Sequence, residues 1–433
     1  MKKTLLLIAT LLASYVGMAQ ETYHPTAENL KAREQFQDEK FGIFLHWGLY
    51  SMMGTTEWIM TNRDINYKEY PKLAKTFYPS EFDADAWVKA IKAAGAKYIT
   101  ITTRHHDGFS LFKTATSTYN SVDGTPFKRD IIKEMADACQ RNGIKLHLYY
   151  SHLDWGREDY PVGRTGTGTG RPKEKANWAS YYKFMNTQLT ELLTNYGKVG
   201  AIWFDGWWDH DSDAKPFDWQ LEEQYALIHK LQPQCLIANN HHHTPFPGED
   251  IQIFERDLPG ENKAGLSGQS IGRLPLESCQ TINEHWGYNI TDTLYKSPKE
   301  LIQMLVRAAG KNANLLLNIG PEPGGALPEL ALNRLQAIGK WLNQYGETIY
   351  GTRGGIIAPH EWGVSTQRGN KLYIHILNCM DSSLFIPTGN HKIKSATVFG
   401  TNKRVNFTKT GNGITLNLDT IPTDIDYIVE LTL

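Results

Sequence analysis

The chain has 433 residues and a formal net charge of -1 at pH 7, so it offers no strong field for nucleic acid or an anionic membrane. Its length exceeds what one core usually holds, and a large domain followed by a smaller one is expected. It contains 12 Trp, 21 Tyr and 16 Phe residues, an aromatic content that suits contact with carbohydrate, although most single rings serve core packing.

The first residues have the layout of a cleaved secretory signal. Lys2 and Lys3 precede an apolar run over residues 5–16, and small residues follow at 17–19. The apolar run is too short to span a bilayer, so residues 1–19 are predicted to be a signal peptide and no membrane insertion is expected. Because no cysteine follows this cut, a lipid anchor is disfavoured. We expect the mature chain to begin near Gln20 and to be exported across the inner membrane, to the periplasm.

Strand and helix patterns alternate through residues 20–345. Apolar runs closed by polar residues cover 41–46, 98–103, 146–151, 201–205, 236–240, 251–255, a weaker 274–277, and 315–319. Helical patterns lie at 84–94, 130–142, 178–196, 220–231, 298–310 and 329–345. Eight such strands in this length predict an α/β fold, a closed TIM-like (β/α)8 catalytic barrel. An open doubly wound sheet would need a glycine-rich turn after the first strand, which instead ends in His46-Trp47-Gly48.

After residue 345 the pattern changes to short alternating strands at 371–377, 395–399, 414–418 and 427–431. They predict a C-terminal antiparallel β-sandwich domain over residues 346–433. The four cysteines are scattered along the chain at Cys139, Cys235, Cys279 and Cys379. Their spacing predicts small, mostly buried residues rather than a disulfide framework or a zinc site.

Polar residues close several predicted strands, and in a barrel of this kind reactive groups gather at the carboxyl ends of the strands. The candidates are His46, His105, His106, Tyr149, Asp205, the cluster 239–243 and Glu255. Tyr149 is preferred over Tyr150 because alternation along the strand points only one of them to the barrel axis. Trp47, Trp58, Trp207, Trp208 and Trp286 lie close to these positions, and Trp207 or Trp208 is expected to wall the pocket. Such a set suits a pocket whose polar side chains form hydrogen bonds with neutral hydroxyl groups and whose aromatic rings stack on a sugar.

Glycosidic cleavage needs two carboxyl groups, one to attack or activate water and one to protonate the departing oxygen. Asp205 in A-I-W-F-D-G is the better nucleophile candidate because the end of its strand fixes it. Candidates for the partner are Glu249, Glu255, Asp257, Glu261 and Glu277. Glu261 lies in a loop that could reach the leaving-group oxygen, whereas Glu277 could equally be a structural hydrogen-bond acceptor.

Two other functions fit the same residues. His105, His106, the histidines of residues 241–243 and Asp205 contain enough donors for a metal-dependent TIM-barrel hydrolase. Against this, adjacent histidines on a strand point to opposite faces and chelate poorly. A catalytically inactive sugar-binding protein is the other alternative, and it requires Asp205 or its partner to be inert.

Several motifs resemble the α-L-fucosidases of glycoside hydrolase family 29. They are F-G-I-F-L-H-W-G (41–48), T-E-W (56–58), R-H-H-D-G-F (104–109), L-Y-Y-S (148–151), W-F-D-G (203–206), L-E-S-C-Q-T-I (276–282), W-G-Y (286–288) and L-L-L-N-I-G-P (315–321). They span nearly the whole predicted barrel in the right order, which is more specific than any single motif.

The resemblance implies a retaining exo-hydrolase that removes terminal α-L-fucose from a fucosylated oligosaccharide or glycoconjugate, without metal or cofactor. It implies that Asp205 is the nucleophile. It also implies that His46, Glu57, His105, His106 and Tyr149 hold the fucose hydroxyls, and that Trp58 and Trp286 are aromatic walls. For the acid/base, whose position varies in the family, Glu261 is the prediction, with Glu277 and Glu255 as alternatives. Linkage preference and oligomeric state are left open by the sequence.

Overall fold

The computed structural model describes residues 23–422 and 424–433, so the predicted signal peptide lies outside the described residues. The first part of the described chain forms eight parallel strands in the order β5-β4-β3-β2-β1-β8-β7-β6. The strands are β1 (Phe41–Leu45), β2 (Tyr98–Arg104), β3 (Lys145–Ser151), β4 (Ala201–Asp205), β5 (Leu236–Asn239), β6 (Gln252–Glu255), β7 (Leu276–Thr281) and β8 (Ala313–Ile319). A parallel bridge between Ala238 and Ile251 joins β5 to β6 and closes the barrel. The predicted (β/α)8 barrel is therefore confirmed.

Helices surround the barrel: most cover its outside, the first lies at the amino-terminal end of the strands, and the second is a four-residue helix in the loop after β1. They are α1 (Ala27–Glu39), α2 (Ile59–Asn62), α3 (Ala84–Ala93), α4 (Ile131–Asn142), α5 (Trp178–Asn195), α6 (Leu221–Leu231), α7 (Pro298–Gly310) and α8 (Glu329–Tyr345). Local sequence fixes their starts: the carboxylates of Asp83 and Asp130 accept from backbone N–H groups in the first turns of α3 and α4. Ser297 and Glu300 form a reciprocal capping box at α7. In the fully described segments 240–251 and 256–275, which follow β5 and β6, loops replace the helices.

The inside of the barrel is filled by aromatic side chains. Phe36 from α1 lies at the amino-terminal end of the strands, where its carbonyl accepts from Asn314 Nδ2 at 2.7 Å. Above it Phe44, Tyr149 and Trp203 form one buried cluster, with the Tyr149 and Trp203 rings stacked at 5.6 Å. This packing fills the barrel interior between its two ends, so the space at the carboxyl ends of the strands is separated from the opposite end.

The seventh strand differs from its prediction. The apolar pattern placed it at residues 274–277, with Glu277 at its end, whereas β7 runs from Leu276 to Thr281. Glu277 is the second residue of this strand and is buried inside the barrel. The polar sequence L-E-S-C-Q-T is a strand because its inward side chains find partners there, which an apolar pattern does not reveal.

The C-terminal part of the described chain forms two antiparallel sheets, of five and three strands. The strands are β9 (Arg353–Gly354), β10 (Gly363–Arg368), β11 (Lys371–Ile376), β12 (Ser383–Ile386), β13 (Ser395–Val398), β14 (Asn406–Thr410), β15 (Gly413–Asn417) and β16 (Tyr427–Thr432). Side chains from both sheets, such as Ile374 and Leu416, share one apolar core, as in a sandwich. Gly310 at the end of α7 lies against Val364 of β10, and Gln303 of α7 donates to the carbonyls of Leu377 and Ile425. These contacts fix the sheets to the barrel.

Two further sequence predictions can be compared with this fold. Cys139, Cys235 and Cys279 are buried free thiols, and Cys379 is a partly exposed one. Within the described residues, none of the helices is long and apolar enough to cross a membrane.

Candidate active site

A cavity of about 180 Å³ opens at the carboxyl ends of the barrel strands, with room for roughly six water molecules. Its lining is aromatic and histidine-rich: Phe44, His46, Glu57, Trp58, His105, His106, Arg164, Trp203, Asp205, Trp208, Asn240, His242, Glu255, Leu266, Cys279 and Trp286. A larger cavity, of about 590 Å³, lies at the opposite end of the barrel beside α1. Its charged residues include Glu39, which is already paired with Lys145 at 2.6 Å. The smaller cavity is the one in which two carboxylates at strand ends, Asp205 and Glu255, face each other.

Asp205 ends β4 at the bottom of this cavity. Its Oδ1 accepts from the backbone N–H of Gly206 at 2.8 Å and from Trp208 Nε1 at 3.0 Å, and its Oδ2 accepts from the Tyr149 hydroxyl at 3.0 Å. His106 Nε2 lies 3.5 Å from Oδ2. Burial, and then the charge of Glu255, raises the pKa of Asp205 to about 6, although the donors from Trp208 and Tyr149 oppose the rise. Asp205 is therefore an oriented, desolvated carboxylate at neutral pH.

Gly206 makes this orientation possible. Its φ of 91° lies in the region that favours glycine, and it turns the chain sharply so that Trp208 comes back over Asp205. A Cβ atom at this position would lie 3.0 Å from the backbone nitrogen and the side chain of Leu153. The pair Asp205-Gly206 in the sequence thus encodes both the carboxylate and the turn that holds it.

Glu255 ends β6 and faces Asp205 across the cavity. Its Oε2 accepts from Asn240 Nδ2 at 2.8 Å and lies 2.9 Å from His242 Nε2. The same Asn240 Nδ2 lies 3.4 Å from Asp205 Oδ1. The two carboxylate oxygens that share this nitrogen are therefore at most about 6.2 Å apart, which is below the ~6.5–9.5 Å of an inverting pair and compatible with the ~5–5.5 Å of a retaining one.

The electrostatic setting of Glu255 differs from that of Asp205. Burial by itself raises the pKa of Glu255, but the hydrogen bond and charge of His242, the amide of Asn240 and the charge of Arg256 together hold that pKa below its ordinary value. The charge of Glu255 nevertheless contributes to the raised pKa of Asp205, so the two carboxyl groups titrate as a coupled pair and not independently.

Three predicted histidines line the cavity as neutral donors and acceptors. His46 Nδ1 is 2.6 Å from Asn318 Oδ1, and His106 Nδ1 is 2.7 Å from Ser151 Oγ, so each directs Nε2 inward. Burial lowers the pKa of His46 to about 4 and, with the neighbouring imidazoles, lowers the pKa values of His105 and His106 well below the ordinary range. Neutral imidazoles suit uncharged hydroxyl groups, which need one donor and one acceptor each.

Tryptophans form the walls. Trp58 and Trp208 are stacked at 5.6 Å, and the Trp286 ring lies 5.3 Å from that of His46. Glu57 Oε2 accepts from the backbone N–H of Gly287 at 2.9 Å, which ties the loop carrying Trp286 to the rim. Trp207, the other tryptophan considered from the sequence, lies instead beside His243 and Phe246.

The structure brings together nearly all of the predicted site residues. Tyr149 is the exception among the binding candidates, because it is fully buried below the cavity and acts on Asp205 through its hydroxyl. Glu277 lies deeper in the barrel, where it accepts from Tyr98 at 2.6 Å and Trp203 at 2.9 Å, and burial raises its pKa to about 7. It is placed as an interior hydrogen-bond acceptor.

Glu261 is not brought to the cavity. Its carboxylate lies 3.1 Å from Lys311 Nζ and 3.0 Å from Lys263 Nζ. Lys311 lies two residues before β8, so this pair ties Glu261 toward the opposite end of the strands. Glu249 and Asp257 are also engaged elsewhere, with Tyr225 at 2.9 Å and with the backbone N–H groups of residues 263 and 264.

Several lining residues were absent from the sequence-based list of site residues. Asn240 and His242 belong to the polar cluster at residues 239–243, which the sequence singled out without assigning individual roles. Arg164 arrives from the long loop after β3, where its guanidinium lies 5.1 Å from the Trp208 ring. Nothing in the pattern of that Gly- and Thr-rich loop points to the cavity.

The histidines form no metal-binding cluster. Among residues 23–422 and 424–433, no three His, Cys, Asp or Glu side chains are grouped so that they could hold a metal ion. His241 and His242 contact different carboxylates, Glu249 at 3.1 Å and Glu255 at 2.9 Å. The metal-hydrolase alternative therefore has no preformed donor set in this part of the chain.

Comparison with known proteins agrees with this site. A family model described as Alpha-L-fucosidase matches residues 10–347. The plasma alpha-L-fucosidase of Rattus norvegicus is 30% identical over 406 residues, covering 85% of this chain and 82% of its own length. Alpha-L-fucosidase isoenzyme 1 from Paenibacillus thiaminolyticus has a similar structure, with a TM-score of 0.83 and 35% identity over 94% of this chain and 99% of its own.

A second solved structure has a bound reaction intermediate. It is a GH29 alpha-L-fucosidase from Bacteroides thetaiotaomicron, described as a trapped covalent intermediate obtained with 2-fluoro-fucosyl fluoride and a glutamate-to-glutamine variant. Its TM-score is 0.81, with 28% identity over 95% of this chain and 97% of its own. The family match, the shared fold and the facing carboxylates agree, and the chain therefore belongs to the alpha-L-fucosidases of glycoside hydrolase family 29.

Proposed function

We propose that the protein is a retaining, exo-acting α-L-fucosidase that releases terminal α-L-fucose through a covalent glycosyl-enzyme on Asp205. The observation that carries the proposal is the pair Asp205 and Glu255, whose oxygens both contact Asn240 Nδ2 and lie closer together than those of an inverting pair, inside a cavity of about 180 Å³. The trapped covalent intermediate of the solved relative supports the same course of reaction.

We assign the acid/base role to Glu255. The sequence favoured Glu261, but two lysines hold its carboxylate toward the other end of the barrel. Both described partners of the Glu255 carboxyl group contact Oε2, so Oε1 is the oxygen available to a substrate. Glu255 was an alternative in the sequence because it closes the sixth strand.

In the first step an oxygen of Asp205 attacks the anomeric carbon while Glu255 gives its proton to the departing glycosidic oxygen, and the glycosidic bond breaks. In the second step the Glu255 carboxylate takes a proton from water, the water oxygen attacks the anomeric carbon, and Asp205 leaves. Glu255 is then protonated again and Asp205 is ionised, so the cycle closes without an external proton.

The other lining groups account for fucose binding. His46, His105 and His106 are neutral and buried, so they can exchange hydrogen bonds with ring hydroxyls without a charge to desolvate. Trp58, with Trp208 stacked on it, offers an apolar face for the sugar. Because aromatic packing closes the barrel below the cavity, the rest of the glycan must leave through the mouth, which is the geometry of exo-cleavage.

Labelling with 2-fluoro-fucosyl fluoride tests the nucleophile. The reagent should add one fluorofucosyl mass to the peptide that contains Asp205, and the Asp205→Ala variant should stay unlabelled while remaining folded. Turnover of that variant should fall by about a thousandfold or more. Labelling at another residue, or β-fucose as the first product seen by NMR, would overturn the proposal.

Substrate choice separates this function from the two alternatives. We expect release of nitrophenol from the α-L-fucoside and much slower release from the β-D-galactoside, with equal rates before and after treatment with a chelator. Chelator-sensitive turnover would support a metal-dependent hydrolase, and sugar binding without turnover would support an inactive binding protein.

The natural substrate and its compartment are part of the same proposal. We infer that the partner is a fucosylated oligosaccharide or glycoconjugate, met in the periplasm after removal of residues 1–19. The layout of Lys2, Lys3 and the following apolar run supports export.

A further inference from the structure

A histidine contacts the acid/base from the neighbouring loop. His242, in the segment after β5, places Nε2 2.9 Å from Glu255 Oε2. The His242 side chain is 21% exposed and that of Glu255 is 15% exposed, so the contact is largely shielded from bulk water. A short contact in such a setting is stronger than the same contact on an open surface.

The backbone on both sides of this contact is strained. His242 has φ 65° and Arg256, the residue after Glu255, has φ 58°. Left-handed conformations are uncommon for residues other than glycine and cost about 1 kcal/mol or more each, and they cluster at functional sites. Here two left-handed residues flank the contact between His242 and Glu255, which indicates that the surrounding structure maintains this contact.

The contact also orients the carboxyl group. Asn240 Nδ2 and His242 Nε2 both contact Oε2, so they restrict rotation of the Glu255 carboxyl and leave Oε1 free of these two partners. An N–H of His242 can donate to the carbonyl oxygen of a protonated carboxyl as well as to a carboxylate, although the bond to the carboxylate is the stronger one. The orientation therefore survives the change from acid to base that the two steps require.

We propose that His242 is a positioning residue for the reaction, which holds Glu255 in the geometry for proton transfer and stabilises its carboxylate form. This inference rests on the proposed role of Glu255 as acid/base.

Other charged and titratable groups share the neighbourhood of Glu255. Those that face it or line the same cavity are Asp205 from β4, Arg256 from its own strand end, His46 and Glu57 from the segment after β1, His105 and His106 from the segment after β2, Cys279 from β7 and Arg164 from the loop after β3. Unlike these groups, His242 contacts the Glu255 carboxyl directly. Both its hydrogen bond and its charge lower the pKa of Glu255. Removing it should raise that pKa.

The variant His242→Asn removes the contact and keeps a residue that tolerates the left-handed conformation, because asparagine is enriched there. The matched control is His243→Asn, which changes the next histidine, whose ring packs beside Trp207. Both proteins are compared by circular dichroism and thermal unfolding before kinetics.

We expect His242→Asn to lower kcat/KM roughly tenfold for phenyl α-L-fucoside, a poor leaving group, and about twofold for dinitrophenyl α-L-fucoside, within the range of general acid effects. The basic limb of the pH profile of this variant should move to higher pH, because a Glu255 with a raised pKa keeps its proton to a higher pH. His243→Asn should match the wild type in both respects. Equal losses on both substrates with an unmoved basic limb would show a merely structural role and overturn the inference.

A double variant separates this inference from the proposed function. If His242 acts through Glu255, adding His242→Asn to Glu255→Ala should change phenyl fucoside turnover by less than about twofold, although the same change in the wild type lowers it roughly tenfold. A Glu255→Ala variant that still cleaves phenyl fucoside well would refute Glu255 as acid/base. A Glu255→Ala variant with the expected defect, together with a fully additive effect of His242→Asn, would refute only the role of His242.

Discussion

The hydroxyl of Tyr149 should set the lower pH limit of the reaction. It donates to Asp205 Oδ2 at 3.0 Å, and the hydrogen bond opposes the rise that burial and the charge of Glu255 impose on the pKa of Asp205. The nucleophile works only when ionised, so kcat/KM should fall as the pH drops through the Asp205 pKa of about 6, whereas loss of the Glu255 proton limits the rate on the basic side. Tyr149→Phe removes this donor and keeps the ring that packs on Trp203.

The size of the effect follows from the charge on the acceptor. A hydrogen bond to an ionised group contributes about 1.5–3 kcal/mol, and its lower end corresponds to about one pKa unit. The acid limb should therefore move from about pH 6 to about pH 7. At pH 5 the ionised fraction of Asp205 would fall from about 10% to about 1%, a further tenfold loss beyond any change at the plateau.

The assay is the initial rate of nitrophenyl α-L-fucoside hydrolysis well below KM, from pH 4 to pH 8. Tyr150→Phe is the matched control, because it removes a buried hydroxyl from the next residue, which donates to Gln188 at 2.7 Å and not to Asp205. Its acid limb should stay near pH 6. An acid limb that stays in place in Tyr149→Phe, or moves to lower pH, would refute the reasoning.

Three other outcomes are expected. Glu255→Ala should lose about 10²–10⁴-fold in turnover of phenyl fucoside and should regain activity with azide on activated substrates. Glu261→Ala loses only ion pairs with lysines and should keep its activity within about twofold. The reverse order of the two losses would return the acid/base role to Glu261. Gly206→Ala should unfold at a lower temperature than Gly197→Ala. Both glycines have a positive φ, 91° and 77°, but only at Gly206 would an added Cβ contact neighbouring atoms. Equal melting temperatures would show that the turn at Gly206 tolerates a Cβ. Edman sequencing of protein recovered from the periplasm should begin near Gln20, and an intact Met1 there would contradict signal cleavage.

The barrel and much of the site could be predicted from the sequence because they depend on local rules. Asp205 follows an apolar strand and precedes a glycine, so both its place at the strand end and its orientation are encoded within six residues. His46 and His105 follow strands in the same way, and the carboxyl ends of parallel strands meet at one end of a barrel. The aromatic walls could be named because the motifs resemble a known family.

The remaining features depend on contacts distant in sequence. Glu277 lies in a strand because Tyr98 and Trp203 satisfy it across the barrel, and its neighbours in the chain do not indicate this. The position of Glu261 is set by Lys311, 50 residues away. Helix α1, the polar segment Ala27–Glu39, buries little more than Phe36 and Asn29, so its sequence lacks the apolar stripe that would predict a helix.

Asp205 and Glu255 lie in parts of the barrel whose connecting segments differ in how readily they accept insertions and deletions. Asp205 belongs to the run of strands whose connections are helices, and an insertion there would disturb packing on both sides of the sheet. Glu255 stands beside the closing bridge between Ala238 and Ile251, where plain loops of twelve and twenty residues lead into and away from its strand. Loops accept insertions and deletions far more readily than packed helices. Over evolutionary time this side of the enzyme can be lengthened, shortened or rebuilt to admit new glycans, while the attacking group stays where it is.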